Sequence, residues 1–121
     1  MKKKFVVAYK VYGLYRIIKI IIIYYIYQCM FLFQILKAEA VKYKDKGNDL
    51  FKSEEYQEAI SVYTQGLRTC PLAYSKERSI LYANRAAAKL ICLVMMLFKE
   101  YRHKRLKDLT IFSIKSTYNV S

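Results

Sequence analysis

The side chains best suited to nucleophilic or metal chemistry are three cysteines and a single histidine. Cys29, Cys70 and Cys92 are separated by 41 and 22 positions, which matches neither a disulfide framework nor a zinc pattern. They read as reduced thiols, buried or half-buried. His103 has no acid–serine or cysteine partner in a recognisable arrangement. The glycines, Gly13, Gly47 and Gly66, are too dispersed for a phosphate-cradling loop. The basic run KEYRHKRLK (Lys99–Lys107), with Tyr101 inside it, could draw a phosphate backbone by charge alone. Such runs are usually solvated helix faces, since charge attracts phosphate without specificity, so a nucleic-acid partner is not expected. No catalytic constellation, metal site or cofactor is expected.

At 121 residues there is room for one small domain. The net charge of +13 suggests an acidic partner or membrane surface, but its distribution weakens that idea. Residues 1–37 carry seven Lys/Arg and no acid. Residues 38–90 carry nine basic and seven acidic residues, and residues 91–121 carry six and two. The excess lies mostly in the flanks, around a centre with an ordinary mixed surface.

The N-terminal flank holds seventeen uncharged residues from Ile20 to Leu36. A bilayer span needs roughly 17–25 residues, so residues 17–36 are a candidate membrane helix. Tyr24, Tyr25 and Tyr27 sit in mid-run, whereas Tyr belts prefer interfaces. Lys2, Lys3, Lys4, Lys10, Arg16 and Lys19 precede the run and favour a cytosolic N-terminus. No small-x-small cleavage site follows, which disfavours a signal peptide. Two alternatives stay open: a buried or interfacial helix, and translated non-coding DNA, whose A/T-rich codons spell Ile, Tyr, Lys and Phe.

The organised signal lies between Ala38 and Leu90. Tyr43, Gly47, Leu50 and Phe51 share one helix face. Ser53 is placed to cap the following helix, with Glu54 and Glu55 at the positive end of its dipole. A second face follows at Ala59, Ile60, Tyr63, Gly66 and Leu67, and Cys70-Pro71 stops that helix. Two helices of about thirteen residues then form an antiparallel hairpin. Gly47, Ala59 and Gly66 remove bulk at the crossing, so the axes approach the lower end of roughly 8–10 Å.

These residues resemble a tetratricopeptide repeat, a helix–turn–helix unit of roughly 34 residues. The family's aromatic–Gly–hydrophobe–Tyr–Ala–aromatic–Ala–Pro pattern falls on Tyr43, Gly47, Leu50, Tyr56, Ala59, Tyr63, Gly66 and Pro71. Gly66 stands for the usual Ala and Lys46 for the usual Leu. After a five-residue spacer, YSKER, a second repeat starts near Ser79. LYANRAAAKL is similar to a first helix in the chaperone-cofactor branch, with Tyr82 in the aromatic position and Ala86 in the small one. The junction as a whole is similar to that of a small cytosolic adaptor of the family. Beyond Leu90 the pattern fails, because Phe98 stands where the crossing Ala belongs. The helix is expected to continue to about Arg105.

The resemblance implies a groove, lined by first helices, that grips the carboxylates of an acidic C-terminal tail, as on heat-shock chaperones. Lys44, Asn48 and Asn84 occupy three of the family's clamp positions. Lys44 and Asn48, four apart, share a helix face, and an ammonium with amide donors satisfies a carboxylate by charge-assisted hydrogen bonds. The family's other two basic residues belong to a third repeat. Without them the site loses roughly 1.5–3 kcal/mol per bond. Stability is also short, since about three repeats are usually needed, unless Leu90–Phe98 folds back over the open face.

The expectation is an all-α chain: a tetratricopeptide-type hairpin, a third helix and an additional N-terminal hydrophobic helix. Residues 1–37 form the basic, hydrophobic segment, 38–73 the first repeat, 74–98 the first helix of an incomplete second repeat with its extension, and 99–121 a basic tail. The expected function is that of a non-enzymatic, co-chaperone-like adaptor for a protein partner, truncated and weak. It is expected in the cytoplasm, with membrane association through 17–36 as the alternative. The alternative is a membrane-anchored receptor of the same repeat family.

Overall fold

The computed structural model describes residues 2–119 as three helices with no strand among them. Helix α1 runs Lys2–Lys52, α2 Tyr56–Thr69 and α3 Ser75–Asn119. The N-terminal hydrophobic helix expected from the sequence is not a separate element. It continues without a break into the first helix of the hairpin, because nothing between Leu36 and Ala40 stops a helix. At 51 residues, α1 is about 77 Å long.

The turn after α1 is a Schellman motif. Glu55 N donates to Leu50 O at 3.0 Å and Glu54 N to Phe51 O at 3.1 Å. Glu54 sits in the left-handed region at φ 64°, where a non-Gly residue costs about 1–2 kcal/mol. This corrects the expected cap. Ser53 closes α1, its N–H bonded to Asp49 O at 3.0 Å. The residue preceding α2 is Glu55, which makes no side-chain cap bond.

Helix α2 stops as the sequence requires. Cys70, held by Pro71, turns extended at φ −69°, ψ 121°, and its N–H bonds Gly66 O at 2.9 Å. Helix α3 then begins at Ser75, inside the spacer and earlier than Ser79. It passes Arg105 and runs through the basic tail to Asn119, while the last two residues of that tail lie outside the described residues. No helix boundary falls at 37/38 or 98/99.

The core is small and lies between α2 and its two neighbours. Ala40, Ala59, Tyr63, Leu67, Cys70, Leu81 and Ala88 are buried, flanked by Leu50, Phe51, Ile60 and Tyr74. A Cβ on Gly47 would stand 2.7 Å from Tyr63 Cδ1, and one on Gly66 would meet Leu81 Cδ2 at 3.0 Å and Tyr43 Cβ at 3.2 Å. Gly66 therefore lets α2 approach α1 and α3 at once. Phe51 and Tyr56 close the turn end by edge-to-face contact at 5.2 Å. In α3 the buried positions are Leu81 and Ala88. Tyr82 and Ala86, assigned to the packing positions by the resemblance, are exposed.

Helices α1 and α3 run parallel on the same side of α2. Lys37 of α1 pairs with Glu77 of α3 at 2.7 Å, and further along both helices Asn84 Nδ2 donates to Asn48 Oδ1 at 2.9 Å. Consequently α1 projects from one end of the hairpin and α3 from the other. Both projections are apolar and uncovered. Leu90 and Leu93–Phe98 are exposed, so that stretch does not fold back over the open face. Ile20–Ile35 is exposed throughout.

Candidate functional site

The facing surfaces of α1 and α3 form a shallow groove. Its floor is a pocket of about 40 Å³ lined by Ala40, Val41, Lys44, Glu77, Ile80 and Leu81. That volume holds one or two waters at most, so the groove suits an extended chain lying across it rather than an enclosed small molecule.

Lys44 and Asn48 lie one turn apart on α1, and α3 brings Asn84 to Asn48. Asn48 Oδ1 accepts two hydrogen bonds, from Asn84 Nδ2 at 2.9 Å and from Tyr63 Oη at 2.8 Å. The Tyr63 ring is buried. Burial pushes its phenol above the ordinary range, further from ionisation. Lys44 Nζ, on a half-buried side chain, lies 3.2 Å from the exposed Asp45 carboxylate. Such pairs are worth about 0–1 kcal/mol, so an incoming carboxylate can displace Asp45. The three residues named from the resemblance thus lie on the two groove-forming helices. A polar link joins Asn48 and Asn84 but not Lys44, and it includes Tyr63, which the sequence offered only as a packing residue.

One end of the groove is closed by Lys37. Its ammonium is 2.7 Å from Glu77 Oε1 and 4.7 Å from the centroid of the Tyr74 ring. The hydrogen bond to Lys37 lowers the Glu77 pKa, and the same bond raises that of Lys37. The sign follows directly: this contact adds stability above the carboxylate's ordinary range and loses it as acid protonates Glu77.

Arg78 is the other residue that composition and spacing did not reveal. Its Nη1 donates to Leu67 O and to Cys70 O, both at 2.7 Å. A guanidinium from α3 thereby satisfies carbonyls at the C-terminal end of α2, where the helix dipole also favours a cation. The KERS context gave no signal of this, because the partners are backbone atoms. Of the cysteines, Cys29 is exposed, Cys70 buried and Cys92 intermediate. The residues of KEYRHKRLK are exposed around the whole helix.

Three matches to known proteins bear on this geometry. The chain is 45% identical over 53 residues to human tetratricopeptide repeat protein 4, covering 44% of this chain and 13% of that protein. It is 44% identical over 52 residues to the rat mitochondrial import receptor subunit TOM70, covering 43% of this chain and 8% of the receptor. It is 35% identical over 53 residues to zebrafish protein unc-45 homolog B, covering 44% of this chain and 6% of that protein. The chain therefore spans about an eighth or less of the length of these relatives. No family model matches it, and no solved structure matches it.

Proposed function

We propose that this chain, whose similarities mark it as carrying a tetratricopeptide-repeat segment, is a non-enzymatic protein-binding module for an acidic C-terminal peptide of the kind carried by heat-shock chaperones. The observation that carries this reading is the meeting of Asn48 and Asn84 across the groove, one turn from Lys44. An ammonium and two carboxamides on one shallow, open face offer N–H groups to a carboxylate and leave the rest of an extended peptide in solvent. With three clamp residues in place, affinity is expected in the high-micromolar to millimolar range, roughly 4–6 kcal/mol. Titration of an acidic peptide ending in a free carboxylate against wild type and Lys44→Ala tests the proposal. A loss of about tenfold is expected, the value of one charge-assisted bond. Equal affinities would remove Lys44 from the site.

A second reading has its own observation. In α1 and in α3 there is a stretch long and apolar enough to cross a membrane, and the one in α1 is wholly uncovered. This favours a membrane-anchored binding module with its span at residues 17–36. The basic residues before the span favour a cytosolic N-terminus, which would put the groove across the bilayer from the cytosol. Carbonate extraction decides whether the chain is embedded: retention in the membrane pellet supports the anchor, and release removes it.

A further inference from the structure

Tyr63 belongs to the packing pattern of the hairpin, yet its hydroxyl is spent on the groove. The phenol Oη lies 2.8 Å from Asn48 Oδ1, and Asn84 Nδ2 reaches the same oxygen at 2.9 Å. A carboxamide oxygen has two lone pairs, so two donors fill it. The Asn48 amide is then fixed with its oxygen turned toward Tyr63 and Asn84, and all it has left for a ligand is the two N–H bonds of Nδ2. Asn84 contributes one further N–H and keeps its own oxygen.

We infer that Tyr63 is a positioning and specificity-determining residue of the peptide site: it holds the Asn48 carboxamide so that this side chain can only donate, which makes the groove select a carboxylate over a neutral carboxamide terminus. The inference rests on the acidic-peptide reading above. Without the phenol, the Asn48 oxygen keeps only the Asn84 Nδ2 donor and one lone pair falls free, so the amide is held less firmly, can accept as well as donate, and its preference for an acceptor falls. The ring remains a core residue in either case, because Gly47 packs against its carbons and not its oxygen.

The test uses the full chain and a five-residue Asp/Glu peptide, either with a free α-carboxylate or with that terminus amidated. Wild type is expected to prefer the free carboxylate. In Tyr63→Phe, which keeps the ring, affinity for the free acid should fall about fivefold and affinity for the amide should not. In an Asn48→Ala background the same Tyr63→Phe change should have no further effect, which a purely structural role would not produce. Equal binding by wild type and Tyr63→Phe, with Asn48→Ala weakened, overturns the positioning role and leaves the peptide reading standing. An equal loss for both peptides in Tyr63→Phe also overturns it, since that is the mark of general loosening. No binding of either peptide by wild type overturns both.

Discussion

Arg78 Nη1 stands 2.7 Å from Leu67 O, and the same nitrogen reaches Cys70 O at an equal distance. One α3 side chain thus fastens the end of α2 and the loop leaving it. Among the described residues the buried hydrophobic core comprises seven side chains, and this clip joins the Lys37–Glu77 and Asn48–Asn84 contacts in holding the third helix in place.

Arg78→Met keeps much of the aliphatic stem and removes the charge-assisted bonds. It should cost about 2 kcal/mol, the middle of the range for hydrogen bonds made by a charged group. Arg78→Lys should recover part of this, since its ammonium keeps the charge but ends a shorter side chain that does not place a nitrogen where Nη1 meets both carbonyls. Chemical denaturation of the three proteins, followed by far-ultraviolet dichroism, checks the order.

Two glycines in the same helix should respond to alanine with opposite signs. Gly13 has nothing within 4 Å of a built Cβ, so Gly13→Ala gains the helix-propensity difference of about 1 kcal/mol. At Gly47 that gain is outweighed, because the Cβ would enter the Tyr63 ring. Overpacking of this kind typically costs 1–3 kcal/mol, and the ring is enclosed on its other sides. Local amide exchange near each site reads both effects, slowed around Gly13→Ala and accelerated across the hairpin in Gly47→Ala.

The native cysteines report on membrane insertion without any substitution. Cys29 lies in the apolar part of α1, Cys92 in the extension of α3 and Cys70 in the core. Burial raises the Cys70 thiol pKa, against a smaller lowering by Arg78. It should therefore resist a water-soluble maleimide at neutral pH until the hairpin unfolds. If α1 spans a bilayer, Cys29 becomes protected in vesicles, while Cys92, at the opposite end of the hairpin, stays reactive. Protection of both in the same vesicle would contradict the parallel arrangement of α1 and α3. Reactivity of both would exclude the span.

The hairpin was legible because its signals are local. Small residues at helical spacing, a proline stop and aromatic fillers are each visible in one stretch of sequence. Gly66 was read as one half of a crossing, but it serves two neighbours, and the second, Leu81, comes from a helix fifteen residues further on. The cap was misread at Ser53 because a side chain able to cap says nothing about a backbone turn, and here Glu54 takes the left-handed position that ends α1. Tyr82 and Ala86 were assigned by register to a family pattern, whereas the burial of α3 is decided by the α2 face it meets, which takes Leu81 and Ala88. Of the groove, Lys44, Asn48 and Asn84 were named from the resemblance. Tyr63 is hidden as a groove residue because its partner Asn48 lies on the other helix of the hairpin, and Arg78 as a clip residue because its partners are backbone carbonyls.

The unbroken run of α1 from its apolar stretch into the groove works as an axle. Whatever grips residues 17–36 also sets the compass bearing of Lys44, because no hinge lies between them. One residue inserted near Lys37 would swivel the groove by about 100° and raise it by about 1.5 Å, turning its mouth away from a partner without altering any atom of the site itself.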